Sequence, residues 1–326
     1  MSEENGESNG VKVRFKLYEK YLIVVQGSLG PLKKRNLLID TGTNPTIIDQ
    51  KVAQQLQLQP ITLAPDTMPV ITGNVRVEST VLPRIECGPI HRESVRVVIQ
   101  DLSPFTKMVG TRIDALVGLD VLGQESFRID YSRKEIVFGP VGATGSTVRF
   151  ASGPPVVTVP MTIENRHLKI LVDTGTSGLL LFARQLGTWQ GGLARIGIAS
   201  TAGLAGPTYL PVAQVNESKM GEQDLGVREV YLSNRPQCCS FDGLMGISGA
   251  RMKQIGFDFD HGIFSWQLQD DAIPTMSEAR PVSCLPASAP GLVPRSEASA
   301  VITASHLSGC DAAVPVSHVM FPQQHR

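Results

Sequence analysis

Three segments of this 326-residue chain occur twice, in the same order and at nearly the same spacing. Leu37-Leu38-Ile39-Asp40-Thr41-Gly42-Thr43 returns as Ile170-Leu171-Val172-Asp173-Thr174-Gly175-Thr176. Asp114-Ala115-Leu116-Val117-Gly118-Leu119 returns as Asp242-Gly243-Leu244-Met245-Gly246-Ile247. Gly118 follows Asp40 by 78 residues, and Gly246 follows Asp173 by 73. Ile129-Asp130-Tyr131 is echoed by Phe257-Asp258-Phe259, each aspartate lying 12 residues past its glycine. Ordered matches at matched spacing mean that one structural unit is used twice, which constrains the fold more than any single motif does. The repeat gives a first lobe over 11–139 and a second over 156–268.

The texture within each copy is that of short strands. Val11–Leu17, Tyr21–Gln26, Arg35–Ile39, Val75–Leu82 and Val95–Ile99 are apolar or alternating runs cut by Gly, Pro or Asn. Val156–Ile163, Leu168–Val172, Tyr209–Val215 and Val227–Leu232 repeat that texture. The 31 glycines and 22 prolines favour turns over long helices. Thr46–Leu58 has the spacing of an amphipathic helix, and Ala250–Ile255 reads as a shorter one. The expected fold is therefore all-β with few short helices. Met1–Gly10 reads as a flexible start. Residues 140–155, within the Gly- and Ser-rich run Gly139–Pro155, read as a linker. Residues 269–326, rich in Pro, Ser and Ala, read as a partly disordered tail.

Composition narrows the function. Thirty Lys and Arg balance thirty Asp and Glu, so the chain lacks the surplus cation that phosphate backbones require, and a nucleic-acid partner is not expected. The five cysteines cannot all pair, and they show no metal-ligand spacing. The histidines form no HExxH, and Gly191-Gly192 follows no nucleotide-binding strand and turn. Lys33-Lys34-Arg35 reads as a solvated loop. The first apolar run, Tyr21–Val25, is far too short to span a membrane. As it stands the chain reads as cytoplasmic. A signal peptide upstream would make it secreted or periplasmic.

The chemistry lies in the repeated loops. Apolar residues before Asp40 and Asp173 put each carboxylate at the end of a buried strand. Gly42 and Gly175 permit a sharp turn and close approach of another backbone. A threonine hydroxyl can fix a carboxylate or tie two loops together. Two such loops related by an approximate twofold would bring Asp40 and Asp173 face to face. Carboxylates at short range share a proton, so one site then offers an acid and a base able to activate water.

With both Asp-Thr-Gly-Thr loops and both apolar-Gly segments, Leu116-Val117-Gly118 and Leu244-Met245-Gly246, the chain resembles the pepsin-like and retropepsin-like aspartic protease superfamily over residues 15–268. More narrowly, it resembles bacterial two-lobed proteins built from retropepsin-like halves. The resemblance implies a bilobal acid-protease fold of two β-barrel lobes, with the apolar-Gly strand threaded beside each catalytic loop. It implies Asp40 and Asp173 as the catalytic dyad, and Thr41 and Thr174 as cross-links between the loops. Gly42 and Gly175 would line the cleft, and Thr43 and Thr176 would bond the carboxylates. Substrate-covering hairpins would lie at Val70–Asn74 around Gly73 and at Gly203–Pro207 around Gly206. The tyrosine of pepsin-like flaps has no match in residues 60–80. The implied function is hydrolysis of peptide bonds in a peptide or protein substrate, with one chain sufficient for activity and neither metal nor organic cofactor. The alternative is a catalytically silent peptide-binding or scaffold module on the same fold.

Overall fold

The computed structural model describes residues 10–61, 66–70, 73–142, 144–150, 156–187, 193–233 and 240–269. The chain is all-β, with four short helices among the described residues. Its first part runs β1 (Val11–Arg14), β2 (Lys16–Tyr18), β3 (Leu22–Leu29), β4 (Leu32–Ile39), β5 (Ile47–Asp49), α1 (Gln50–Gln55), β6 (Asp66–Val70) and β7 (Gly73–Cys87). There follow β8 (Ile90–Gln100), α2 (Ser103–Val109), β9 (Ala115–Val117), α3 (Leu119–Leu122), β10 (Phe127–Asp130), β11 (Glu135–Phe138) and β12 (Ser146–Arg149). The second part runs β13 (Thr158–Ile163), β14 (Arg166–Asp173), β15 (Leu179–Phe182), α4 (Ala183–Leu186), β16 (Ala194–Gly203), β17 (Gly206–Val215) and β18 (Ser218–Met220). It closes with β19 (Gln223–Asp224), β20 (Arg228–Ser233), β21 (Gly243–Gly246), β22 (Met252–Asp258) and β23 (Ile263–Leu268).

These strands form three sheets. One, of eight strands, has the order β2-β3-β4-β9-β5-β8-β7-β6 and comes wholly from the first part. A second, of nine strands, has the order β16-β17-β20-β15-β21-β14-β13-β18-β19 and comes wholly from the second. At the centre of each, a short apolar strand is threaded between the two strands that flank an Asp-Thr-Gly loop. β9 runs parallel to β4 and antiparallel to β5, and β21 runs parallel to β14 and antiparallel to β15. Ala115-Leu116-Val117 and Gly243-Leu244-Met245-Gly246 are buried throughout, as strands covered on both faces must be.

The third sheet joins the two parts in the order β1-β11-β10-β22-β23-β12. Its central pair sets Phe127 opposite Phe257 and Ile129 opposite Ile255. The alignment that matches Asp130 with Asp258 also matches Phe127 with Ile255 and Ile129 with Phe257. The pairing therefore maps onto itself when the two parts exchange places. Aromatic rings fill this junction: Phe127 lies 4.9 Å from Phe257, Phe257 lies 5.3 Å from Phe264, and Phe264 stacks on Trp266 at 5.8 Å between centroids. Such offset and tilted ring pairs add to the hydrophobic burial that holds the two parts together.

Two expected helices take other forms. Within Thr46–Leu58, Ile47 and Ile48 are extended as part of β5, because their fully buried, β-branched side chains are paired into the sheet through Leu116 and Ala115. Only Gln50–Gln55 is helical, capped by the Asp49 carboxylate, which accepts from Lys51 N at 3.1 Å. Ala250–Ile255 is not a helix. Met252 onward is β22, whose apolar residues find partners in β10 and β23. The run read as a linker contributes β12, paired with β23. Lys33-Lys34-Arg35 lies within β4, where Lys33 meets Glu86 at 3.0 Å. Cys87 is a buried free thiol, and burial pushes its pKa up to about 12. The other four cysteines, Met1–Asn9 and residues 270–326 lie outside the described residues.

Candidate active site

Asp40 directly follows β4, and its N–H donates to Val117 O at 3.0 Å. Asp173 is the last residue of β14, paired with Gly246 of β21. The threaded strands thus deliver both carboxylates to one place, where each side chain is fully buried.

The threonines after each aspartate join the two loops. Thr41 N–H donates to Thr174 Oγ1 at 3.0 Å, and Thr174 N–H donates to Thr41 Oγ1 at 3.1 Å. Each hydroxyl then donates to the carbonyl that precedes the opposite aspartate: Thr41 Oγ1 to Val172 O and Thr174 Oγ1 to Ile39 O, both at 2.9 Å. Four bonds among wholly buried groups satisfy every donor they use, so the spacing of the loops is fixed by geometry that has no slack.

The glycines hold the carboxylates at close range. Gly42 N–H donates to Asp40 Oδ1 at 3.0 Å, and Gly175 N–H donates to Asp173 Oδ1 at 2.7 Å. A Cβ added at Gly175 would sit 2.9 Å from Asp40 Oδ2 and 3.0 Å from Asp40 Cγ. The first carboxylate therefore lies against the second loop's glycine, where no side chain fits. Thr43 Oγ1 donates to Asp40 Oδ2 at 2.8 Å. Thr176 occupies the matching place, fully buried, with its N–H 3.4 Å from Asp173 O.

Burial raises the pKa of Asp40 to about 7. The Thr43 hydroxyl, the Gly42 N–H and a side-chain hydrogen bond with Asp173 pull it back in part, because each stabilises the charged form. A carboxyl that titrates near neutrality beside a second carboxyl is a pair that holds one proton over a wide range of pH.

The two loops are anchored differently on their far sides. In the first part, Asp120 of α3 accepts from Thr46 N at 2.9 Å and from Thr46 Oγ1 at 2.8 Å, while Thr46 Oγ1 accepts from Gly118 N at 3.0 Å. At the matching positions the second part has Leu179 and Ser248. There Gly246 N–H donates to Gly178 O at 2.8 Å, and Gly249 N–H donates to Ser177 O at 2.5 Å. Thr46 and Asp120 carry no signal in the repeat, because these two positions differ between its copies.

Both segments expected to cover a substrate are hairpin ends. Val70 pairs with Gly73 where β6 turns into β7, and Ile71 and Thr72 lie outside the described residues. Gly203 pairs with Gly206, at φ +95°, where β16 turns into β17. Tyr209 is 62% exposed on β17, so its side chain faces solvent. Among the described residues no group of three or more His, Cys, Asp or Glu could hold a metal ion, and no helix is long and apolar enough to cross a membrane.

Residues 25–121, which run from β3 through Asp40 to α3, match the family model described as aspartyl protease. No curated protein matches the chain. The family match supports protease function in general, and it falls on the half that carries Asp40.

Proposed function

We propose that this chain is an aspartic endopeptidase in which Asp40 and Asp173 activate a water for attack on a peptide bond. The observation that carries the reading is the buried, cross-linked pair of Asp-Thr-Gly loops, with Asp40 raised toward neutrality beside Asp173. Reciprocal threonine bonds and glycines pressed against carboxylates serve a dyad well, and a purely structural junction has no need of them.

In this mechanism the pair starts with one proton. The ionised carboxylate takes a proton from water as the water oxygen adds to the scissile carbonyl carbon, and the protonated carboxyl donates to the carbonyl oxygen. The tetrahedral carbon then loses the amide nitrogen, which leaves with a proton from the protonated carboxyl, while one hydroxyl on that carbon gives its proton to the ionised carboxylate and the carbonyl re-forms as a carboxyl group, leaving the pair with one proton again. Burial favours this step, since charge shifts between two fixed carboxyls in a site with little water to reorganise. We assign the hairpins that end at Gly73 and Gly206 to covering the bound peptide. One chain supplies both aspartates, and the lobes over 11–139 and 156–268 act as the two walls of the cleft.

The test is digestion of an unfolded protein mixture by wild type, Asp40→Asn and Asp173→Asn, each with and without pepstatin. Cleavage by wild type that both variants lose is the expected result. Turnover retained at the wild-type level by either variant overturns the shared dyad.

A further inference from the structure

Tyr21 stands just before β3, at the end of a tight turn in which its N–H donates to Tyr18 O at 3.0 Å and both central residues, Glu19 and Lys20, have positive φ. The turn and the pairing of Leu22 with Tyr18 fix where its side chain starts. The residue is only 3% exposed, yet its hydroxyl is buried without a hydrogen-bond partner. Folded chains seldom leave a buried hydroxyl unpaired, and one that stays so calls for a partner from outside the chain, a water or a ligand. Its surroundings point to a ligand. Tyr21 packs in the apolar cluster that holds Met68 and Val70, next to the turn of the first hairpin, and that also touches Leu204 in the turn of the second. Burial pushes its phenol well above the usual range, with further contributions from the carboxylates of Glu19 and Asp173. A side chain of the first part thus lies within the field of the second part's aspartate.

Tyr131 supplies the contrast. Its hydroxyl is also buried and unpaired, and it also lies in the field of Asp173. Its ring packs edge-on against Phe15 at 6.1 Å, in the other cluster, the one that contains the aromatic junction between the two parts. The two phenols therefore lie in different apolar clusters, and only that of Tyr21 shares its cluster with both hairpin ends.

We propose that Tyr21 is a substrate-binding residue whose hydroxyl donates a hydrogen bond to a main-chain carbonyl of the extended peptide held under the two hairpins. The assignment rests on the peptide-hydrolase reading above and goes beyond it, since neither Asp-Thr-Gly loop contains the residue.

The experiment uses the full chain and unfolded β-casein as the probe. Tyr21→Phe and Tyr131→Phe are compared with wild type for casein hydrolysis and for thermal midpoint. The same two changes are then made in the Asp40→Asn background and compared for casein binding. Loss of one neutral hydrogen bond to substrate lowers casein hydrolysis by Tyr21→Phe, and casein affinity in the Asp40→Asn background, by about 5- to 30-fold. The Tyr21→Phe midpoint stays the same or rises, because Phe fills the same space with no unpaired hydroxyl. Tyr131→Phe matches wild type in hydrolysis and binding. Wild-type hydrolysis and binding in the Tyr21 variants overturn the proposal, as does a midpoint lowered by several degrees, which would mean a structural partner for the hydroxyl. If wild type fails to cleave casein, the hydrolase reading falls, but weaker casein binding on Tyr21→Phe in the Asp40→Asn background still upholds the role of Tyr21. Equal binding, or none, overturns that role too.

Discussion

Thr41 and Thr174, 133 positions apart in sequence, each accept the other's main-chain N–H through the side-chain oxygen, at 3.1 and 3.0 Å. Each hydroxyl is also a donor, so Thr41→Val removes two bonds and leaves Thr174 N–H and Val172 O buried and unpaired. The expected cost is about 2–5 kcal/mol of folding stability, from two stranded polar groups. Thr41→Ser restores the oxygen and should recover most of the loss. Urea unfolding of the three proteins reads the difference. A valine variant as stable as wild type would remove the cross-link from the account of the fold.

Asp40 makes stability depend on pH in a direction opposite to that of most carboxylates. Its folded pKa of about 7 stands above the ordinary 3.8, so between those values the folded chain holds a proton that the unfolded chain has lost. Stability from this group is full below about pH 4 and falls as pH rises through about 7. Asp40→Asn should flatten that part of the profile and be the more stable protein at pH 8. Thermal midpoints of both proteins from pH 4 to 8 check the sign, and a wild-type midpoint that climbs over this range relative to the variant contradicts it.

Activity should follow the one-proton state of the pair. It is lost at low pH when both carboxyls are protonated and at high pH when both ionise, with the upper limit near 7. The hydroxyl of Thr43 stabilises ionised Asp40, so Thr43→Ala should move the alkaline limb of kcat/KM upward. The measurement is a pH profile on one peptide for both proteins. A downward shift in the variant would mean that the hydroxyl does not act on Asp40 as its 2.8 Å bond indicates.

The unequal anchoring of the loops predicts unequal sensitivity. Asp120→Ala leaves Thr46 N–H and its hydroxyl without their acceptor in a buried setting, at a cost of roughly 2–4 kcal/mol. Ser248→Ala, at the matching position of the second part, should change stability by less than about 0.5 kcal/mol. Denaturant midpoints of the two variants decide the matter, and equal losses would mean that the Ser248 side chain anchors the second loop as the Asp120 carboxylate anchors the first.

Gly175→Ala should lower hydrolysis by about a hundredfold while the chain still folds. The added methyl would sit 2.9 Å from Asp40 Oδ2, so the carboxylate must move aside. A shift of about 1 Å in a reacting group is worth on the order of a hundredfold in rate. Circular dichroism with a turnover assay separates the two effects, and near-normal turnover would show that Asp40 tolerates the displacement.

The strands and the two loops that meet were legible in the sequence because they depend on what the two copies share. Apolar triplets before Asp40 and Asp173, each followed by a turn and repeated, mark buried strand ends. A glycine two residues after each aspartate marks a turn whatever else the chain does. What the copies do not share was invisible to that reading. Thr46 and Asp120 leave no mark in the repeat, since Leu179 and Ser248 stand in their places. Tyr21 read as the opening of one more apolar strand. The local pattern of Ala250–Ile255 fits a helix as well as a strand, and only pairing with β10 and β23 makes Met252 onward a strand. Local pattern fixes which residues must be buried and where the backbone must turn. Which buried hydroxyl meets a partner, and how far a carboxyl's pKa rises, depend on groups distant in sequence that only the packed chain brings together.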